Sequence, residues 1–335
     1  MWSLRLARGL CLLMAVVLQA SFATGVDAQD TTLTQLAGVS ILGFAFDPSV
    51  PNTLYAATGD GVFTSADGGK TWRERNTGLT DRNVEAVAVD PHAAEILYAA
   101  AYSGLFKSTN KGASWTAANS GLPAHTHPYF FVLDPHQPGH VYTASGDGIF
   151  ESTNHADQWL ARNEGLSETK INAVVSVPTQ PLTLYVGTLK NGVFQSTDGG
   201  QSWTHKSRGL TDLYIPALAI DSKSPTTLYA ATGAGIFKSV DAGTHWSTAS
   251  TGIPQGIFIG SLVVDPESPQ TVYAGTDQGI FKTTTAGENW TAQNAGLTDV
   301  NVEVLAVDPH YPQTLYAGTF GGVFKTTDGG ATWTK

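Results

Sequence analysis

Cysteine is almost missing from this sequence of 335 residues, in which Cys11 is the only one. Cys11 lies in an apolar run close to the N-terminus, and the remainder of the chain contains none. That remainder can form no disulfide, provides no thiol nucleophile and offers no cysteine ligand to zinc. Its fold must therefore be stabilised by a packed core alone.

Charged residues are also few. They make up 14% of the sequence, and acidic residues outnumber basic ones to give a net charge of -10. The acidic balance counts against nucleic acid and anionic membrane surfaces as partners. Glycine is abundant, with 36 residues, and the composition is that of a globular chain rather than a disordered one.

Residues 1–28 have the composition of a secretory signal peptide. Arg5 and Arg8 precede an apolar run over residues 10–23, and small residues follow it up to Ala28. The run is too short and wrongly flanked for a retained transmembrane span, so we expect cleavage near Ala28 and a secreted or periplasmic protein. An uncleaved N-terminal anchor is the alternative. A lipoprotein is disfavoured because Cys11 lies inside the run instead of behind it.

Three aromatic residue types recur with one period along residues 29–335. Successive members are 43 or 44 residues apart in each of three registers. The tryptophans are Trp72, Trp115, Trp159, Trp203, Trp246, Trp290 and Trp333; the tyrosines are Tyr55, Tyr98, Tyr142, Tyr185, Tyr229, Tyr273 and Tyr316; the phenylalanines are Phe63, Phe106, Phe150, Phe194, Phe237, Phe281 and Phe324. Three registers with one period indicate seven copies of one structural unit.

The last unit shows the content of each copy. An apolar run at residues 302–307 ends at Asp308-Pro309, which is a turn signal, and a second run covers 314–318. An alternating segment follows at 323–326, and a short strand follows the next polar loop. Four short strands without helical periodicity are typical of a β-propeller blade.

The sequence therefore predicts an all-β fold, a seven-bladed β-propeller with four antiparallel strands per blade. Residues 29–335 divide into seven such units, so we expect them to form a single domain and a monomer. Residues 35–38 resemble residues 293–296, which follow the outer strand of the sixth unit. We expect residues 31–38 to complete the outer edge of the seventh blade and so to protect its strand edge.

A short polar loop precedes each repeated tryptophan, as in STDGGQSW at residues 196–203. Its pattern of Ser/Thr, Asp, Gly, Thr/Ser and Trp resembles the Asp-box, or BNR repeat, of sialidases, xyloglucanases, the sortilin ectodomain and photosystem II assembly-factor propellers. The resemblance covers residues 29–335 and implies a structural hairpin between the third and fourth strands of each blade. The structural residues that it implies are Asp67, Trp72, Asn110, Trp115, Asn154, Trp159, Asp198, Trp203, Asp241, Trp246, Trp290, Asp328 and Trp333.

The residue types of this loop suit a brace. An Asp or Asn oxygen can accept backbone N–H bonds from its own turn, glycine supplies positive φ, and tryptophan covers the hairpin. Calcium binding is the alternative, but calcium takes about six to eight oxygens and each loop has one carboxylate at most. Asn154 in the third loop and Thr285 in the sixth replace the acid while the tryptophan remains. We therefore predict a brace, with no metal and no cofactor.

Loops on the opposite face are the candidate ligand-binding positions. By analogy with other propellers, the inter-blade loops and the loops between second and third strands share the face on which ligands bind. Their residues differ between units whose frame residues repeat; unconstrained loop tips are the alternative explanation. The candidates are Asp60, Arg82, Tyr102, His125, His127, Tyr129, Asp147, Lys170, Lys190, Tyr214, Phe258, Asp277 and Phe320.

Two features stand out among these candidates. His125 and His127 would point the same way on an extended segment and could ligate a metal, although no third ligand is identifiable. A polar, pH-titratable loop tip is the favoured interpretation of the pair. The aromatic candidates suit stacking on a sugar or burial in a peptide interface, with packing between blades as the alternative.

An enzyme of the resembling families would need a catalytic set that the sequence does not mark. A sialidase requires an arginine triad, and after residue 28 the chain has only Arg73, Arg75, Arg82, Arg162 and Arg208. An inverting glycoside hydrolase requires two carboxylates separated across a cleft. Asp60, Asp147 and Asp277 are available, but nothing pairs them.

A binding role fits better. We predict a non-catalytic binding or scaffold propeller whose partner is an extracytoplasmic protein or glycan. It is similar in blade number and size to the photosystem II assembly factors, but those have a basic patch and this chain is acidic. The alternatives are a glycoside hydrolase and an accessory carbohydrate-binding protein.

Overall fold

The computed structural model describes residues 32–33, 36–180 and 182–335, which form strands and turns without a helix. They build a seven-bladed β-propeller with four antiparallel strands per blade, as predicted. None of these residues belongs to a helix long and apolar enough to cross a membrane. The predicted signal peptide, residues 1–28, lies outside the described residues.

The strands follow one another in the same order in every blade. β1 is Thr32–Leu33. The first blade contains β2 (Ile41–Phe46), β3 (Leu54–Thr58), β4 (Gly61–Ser65) and β5 (Trp72–Glu74). The second contains β6 (Val84–Val89), β7 (Leu97–Ala101), β8 (Gly104–Ser108) and β9 (Thr116–Ala117). The third contains β10 (Pro128–Leu133), β11 (Val141–Ser145), β12 (Gly148–Ser152) and β13 (Leu160–Ala161).

The remaining blades repeat this order. The fourth contains β14 (Ile171–Ser176), β15 (Leu184–Thr188), β16 (Val193–Ser196) and β17 (Thr204–His205). The fifth contains β18 (Ala217–Ile220), β19 (Leu228–Thr232), β20 (Gly235–Ser239) and β21 (Ser247–Thr248). The sixth contains β22 (Ile259–Val264), β23 (Val272–Thr276), β24 (Gly279–Thr283) and β25 (Thr291–Ala292). The seventh contains β26 (Val302–Val307), β27 (Leu315–Thr319) and β28 (Gly322–Thr326), and Thr334 bridges to Lys325 as its fourth-strand residue.

The first strands of the blades form a closed ring. Each contacts the first strand of the next blade, and β26 of the seventh contacts β2 of the first. The second strands are buried along their whole length because blades cover both of their faces. Burial on both faces explains why they are continuous small and apolar runs such as LYAAT instead of alternating ones.

The hydrophobic core lies between the blades. Each of seven clusters joins the repeated tyrosine of one blade to the repeated phenylalanine and tryptophan of the next. Tyr55 of the first blade, for example, packs in one cluster with Phe106 and Trp115 of the second. Burial of each such ring contributes on the order of 1.5–3 kcal/mol, so the aromatic residues stabilise the joints between units.

The seventh cluster closes the ring. It contains Tyr316 of the seventh blade together with Phe63 and Trp72 of the first. Tyr316 also packs against Phe44 and Phe46 at centroid distances of 5.9 and 5.7 Å. The joint between the last and first blades is therefore built with the same aromatic pairing as the other six.

The predicted outer edge of the seventh blade is only partly correct. β1 pairs with β5, so residues 32–33 extend the first blade instead of the seventh. Residues 36–38 do reach the seventh blade, where Gly38 N–H donates to the Gly321 carbonyl at 2.9 Å. Residues 31, 34 and 35 lie outside the described part of the chain. The N-terminal segment thus contacts the blades on both sides of the closing joint.

Candidate binding face

The loops of the propeller divide between two faces. The polar loops between third and fourth strands hydrogen-bond to the loops between first and second strands, as Lys111 N–H does to the Glu95 carbonyl at 2.9 Å. We name this side the box face. The turns between second and third strands bond to the inter-blade loops, as Tyr102 N–H does to the Asn83 carbonyl at 3.0 Å. We name that side the tip face.

Hydrogen bonds within each polar loop fix its shape. In the fourth loop the Ser196 hydroxyl donates to Asp198 Oδ1 at 2.7 Å and accepts from Gly200 N–H at 2.7 Å. Asp198 Oδ1 and Oδ2 also accept the Ser202 backbone N–H and hydroxyl at 2.9 and 2.6 Å. These bonds lower the pKa of Asp198. Three hydrogen bonds from its own turn therefore hold this carboxylate in place.

Loops that lack the acid keep the bonds made by its first oxygen. Asn154 Oδ1 accepts from the Ser152 hydroxyl at 2.8 Å and from Gln158 N–H at 3.0 Å. Thr285 Oγ1 accepts from Asn289 N–H at 3.1 Å. One correctly placed oxygen is therefore sufficient for the turn. Among the described residues, no group of three or more His, Cys, Asp and Glu side chains is arranged to hold a metal.

The tryptophan that follows each loop bonds to the preceding blade. Trp203 Nε1 donates to the Arg162 carbonyl at 2.8 Å, and its backbone N–H donates to the Glu164 carbonyl at 2.9 Å. Trp115, Trp159, Trp246, Trp290 and Trp333 make the equivalent pairs of bonds. From the sequence we expected each ring only to cover its own hairpin, so the bonds to the preceding blade were not predicted. Trp72 is the exception, since its Nε1 donates to Gly69 at 3.1 Å within its own loop.

The candidate residues on the tip face fall into two groups by burial. Tyr102 and Phe320 are 44% and 56% exposed. Asp60, Arg82, His125, Asp147 and Lys190 are exposed as well. The partly buried candidates are His127, Tyr129, Tyr214, Phe258 and Asp277. Lys170 is exposed, and its backbone N–H donates to Glu168 Oε1 at 3.1 Å.

Carboxylates on this face hold loops in position. Asp277 Oδ1 accepts from Phe258 N–H at 3.1 Å, and the Phe258 carbonyl accepts from Asp277 N–H at 3.1 Å. Asp147 Oδ2 accepts from the Thr126 hydroxyl at 3.1 Å. Each of these bonds ties an inter-blade loop to the turn of the same blade.

Sequence reasoning missed further acids with this role. Asp81 accepts from Asn83 N–H at 3.0 Å and from Ser103 N–H at 2.8 Å. Asp299 accepts from Asn301 N–H at 3.1 Å and from Gly321 N–H at 2.8 Å. The repeated sequence Gly-Leu-Thr-Asp, at residues 78–81, 209–212 and 296–299, is the signal that could have revealed them.

The structure brings several candidates together at the joint between the second and third blades. The rings of Tyr102 and His127 lie 3.9 Å apart between centroids, at 39°. Tyr129 lies two residues after His127, in β10, and burial raises the pKa of its hydroxyl, as do the charges of Glu85 and Asp147. His125 has a φ of 66°, so the backbone at this residue is not extended. The metal-site alternative for His125 and His127 assumed an extended segment, and that assumption is wrong.

Tyr129 occupies a β-bulge that recurs around the ring. The pairing of first and second strands shifts register at the second position of the first strand in six blades. The residues at these bulges are Leu42, Glu85, Tyr129, Asn172, Gly260 and Glu303. Bulges re-aim side chains and are common beside functional sites. The sequence gives no local signal for them, because a bulge is defined by pairing with another strand.

A second group that sequence reasoning missed lies on the box face. His140 Nε2 and Glu151 Oε1 are 2.5 Å apart, and Arg162 Nε donates to Glu151 Oε2 at 2.6 Å. The hydrogen bond to Glu151 raises the pKa of His140 against the effect of burial. Burial acts to raise the pKa of Glu151, but the bonds from His140 and Arg162 outweigh it and lower the pKa. The side chains of His140 and Glu151 are both buried, at 7% exposure.

Comparison with known proteins defines the fold class and no more. No protein-family model matches the chain, and no curated protein matches it. Solved structures do. The xyloglucanase of Xanthomonas campestris superposes with a TM-score of 0.76 at 20% identity over 91% of this chain and 55% of its own. An ancestral GH74 enzyme gives 0.75 at 18% identity over 91% and 47%.

Structures of YCF48 are also similar. YCF48 from Cyanidioschyzon merolae superposes with a TM-score of 0.67 at 14% identity over 88% of this chain and 98% of its own. A structure of YCF48 bound to D1 peptide gives 0.68 at 13% identity over 90% and 96%. This chain thus spans about half the length of the two hydrolases and nearly all of YCF48. At these identities the likeness establishes the propeller fold alone.

Proposed function

We propose that this protein is a non-catalytic binding or scaffold propeller that works outside the cytoplasm and docks a protein or glycan on its tip face. The main support for this proposal is that Tyr102 and Phe320 are exposed on turns of that face. Aromatic rings supply large contact areas at low entropic cost and dominate many binding interfaces. YCF48, a propeller of similar extent, is seen with a peptide bound.

The polar loops of the box face have a bracing role in this proposal. Their acids and hydroxyls are satisfied within each turn, and six of the seven tryptophans bond to the preceding blade. A ring with rigid joints presents the tip-face loops in fixed positions, which lowers the ordering cost of binding. We assign the structural role to the box face and partner recognition to the tip face.

Affinity capture from an envelope extract, together with a glycan array, tests the proposal. The bait is residues 29–335, and the variants are Tyr102→Ala and Phe320→Ala. Tyr311 is 49% exposed in the loop between β26 and β27, so Tyr311→Ala is a matched aromatic control on the box face. We expect a partner or glycan that the tip-face variants lose and the control retains. If only Tyr311→Ala lost the partner or glycan, recognition would lie on the box face and the proposal would be wrong.

Glycoside hydrolysis is the second candidate, favoured by the likeness to the xyloglucanase fold. Inverting hydrolysis requires one carboxyl as acid and another as base on opposite sides of the scissile bond. Asp147 and Asp277 each accept a hydrogen bond from an inter-blade loop, which suits positioning of the loop. Release of reducing ends from xyloglucan that disappears in Asp60→Asn, Asp147→Asn or Asp277→Asn would support the hydrolase.

A further inference from the structure

One joint of the tip face combines aromatic rings with carboxylates. We name it the joint site: Glu85, Tyr102, His127, Tyr129 and Asp147. The rings of Tyr102 and His127 stand 3.9 Å apart, and Tyr102 remains 44% exposed. Nearly half of an aromatic side chain is therefore open to a partner at this point.

Tyr129 is a partly buried member of the joint site. It lies at the β-bulge of β10, between Pro128 and Phe130. Its hydroxyl stands 3.4 Å from the position that a Cβ on Gly146 would take, so it touches the turn of the third blade. The bulge thus directs a phenol toward the turn that bears Asp147.

Two carboxylates lie on elements next to that phenol. Glu85 occupies the equivalent bulge of β6, the first strand of the adjacent blade, and β6 and β10 are in contact. Asp147 binds the Thr126 hydroxyl through Oδ2, and a carboxylate has acceptor capacity for more than one partner. Burial raises the pKa of Tyr129, and the charges of both acids raise it further, as expected for carboxylates near its hydroxyl.

Rings and carboxylates in this arrangement favour a cation. The faces of tyrosine rings attract ammonium and guanidinium groups, and the attraction increases where water is excluded. Carboxylates accept charge-assisted hydrogen bonds, and arginine can donate two of them to one carboxylate through its fork of N–H groups. A sugar would use the rings without needing two acids. The net charge of -10 also gives the whole protein an attraction for a basic partner.

We propose that the joint site binds an arginine or lysine side chain presented by a partner protein. The inference rests on the proposed binding function and narrows it to a basic protein segment. The cationic group stacks on the exposed face of Tyr102 and is bonded by the carboxylates of Glu85 and Asp147. Tyr129 accepts a hydrogen bond from the same group through its neutral hydroxyl.

Fluorescence anisotropy with a labelled nonapeptide of alternating glycine and arginine tests this proposal. A second peptide carries citrulline in place of arginine, which retains the shape and removes the charge. We expect the arginine peptide to bind about ten-fold more tightly than the citrulline peptide. We expect Glu85→Gln, Asp147→Asn and Tyr102→Ala each to weaken binding about five- to ten-fold, as the loss of a partly desolvated ionic or cation–π contact implies.

Glu95→Gln is the matched control. Glu95 is exposed in the loop between β6 and β7, in the same blade as Glu85 and on the box face, and it undergoes the same charge change. Binding that falls equally in this control would indicate diffuse attraction and overturn the proposal. Equal affinity for the two peptides, or none for either, would also overturn it. Thermal melting of each variant confirms that it is folded.

The proposed function has a separate outcome. If the arginine peptide fails to bind while Tyr102→Ala or Phe320→Ala abolishes capture of a glycan or an envelope protein, only the basic-segment inference is wrong. If neither experiment finds a ligand that depends on the tip face, the docking function fails as well.

Discussion

Trp203 of the fourth blade is tied to Arg162 of the third by a hydrogen bond of 2.8 Å from the indole nitrogen to the backbone carbonyl. The ring is 5% exposed and shares a core cluster with Tyr142 of the third blade. The same residue thus supplies both apolar burial and a directional bond across one joint. Because six joints repeat this bond, we infer that the tryptophans hold the blades together as much as they complete their own hairpins.

Comparison of Trp203→Phe with Trp72→Phe separates the bond across the joint from the loss of ring volume, because both substitutions shrink a buried indole to a phenyl. Trp203→Phe removes the indole donor and leaves the Arg162 carbonyl without this partner, so we expect a loss of about 1–3 kcal/mol of unfolding free energy. The measurement is the midpoint of equilibrium urea unfolding. Trp72→Phe is the comparison, because the Trp72 indole bonds within its own loop. An unchanged midpoint for Trp203→Phe would show that the bond contributes nothing.

Two glycines at equivalent positions should respond differently to alanine. Gly209 has φ of +98°, and a Cβ there would collide with the Trp246 carbonyl of the next blade. Gly38 has φ of +77° and nothing within 4 Å of its Cβ position. We expect Gly209→Ala to cost about 2–4 kcal/mol from strain and overpacking together, and Gly38→Ala only about 1 kcal/mol from strain. Equal shifts in melting temperature would contradict the close approach between blades.

Asp198 should tolerate asparagine better than alanine. Asn154 shows that an amide oxygen accepts the same two bonds in the third loop, so Asp198→Asn retains them at Oδ1. Asp198→Ala removes them and should lower the unfolding free energy by about 1 kcal/mol or more. Thermal unfolding of the two variants decides the matter. An equal loss with asparagine and with alanine would mean that the charge, and not the acceptor, is required.

His140 and Glu151 should give the protein a pH-dependent stability. The folded pKa of His140 is raised above 6.5, so its contribution is complete below that pH and is lost as the pH rises through the folded value. The folded pKa of Glu151 is lowered below 4.5, so its contribution is present above that pH and is lost as the pH falls through the folded value. The pair is therefore most stabilising at pH values between about 4.5 and 6.5.

Melting temperatures measured from acid to mildly alkaline pH test this dependence. His140→Gln should flatten the fall in stability above neutral pH, because the titrating group is gone. His245→Gln is the control, since His245 is more than half exposed and solvent screens its pair with Asp241. The wild-type melting temperature could stay constant through neutral pH, or that of His140→Gln could still fall there. Either result would show that the buried pair does not control the pH dependence of stability.

The loops that lie together on the tip face were predicted, but their contacts were not. The sequence identified Tyr102, His127, Tyr129 and Asp147 as separate candidates in different loops. Their convergence depends on which blade follows which and on how adjacent first strands pack. The neighbouring Glu85 was missed because it sits inside an apolar strand, where a single acid resembles an ordinary exposed position.

The sequence by itself determined the number of blades, the four strands of each and the positions of the polar loops. These features are local, since turn residues and strand periodicity act within a few residues and the 43- or 44-residue spacing repeats them. Only the tertiary structure decided that the tyrosine of one blade packs with the phenylalanine and tryptophan of the next. It also decided the bulges, the buried His140–Glu151 pair and the joint site. The bulges and the buried pair depend on how strands of one blade pair, and the joint site depends on packing between two blades, so no local sequence pattern specifies them.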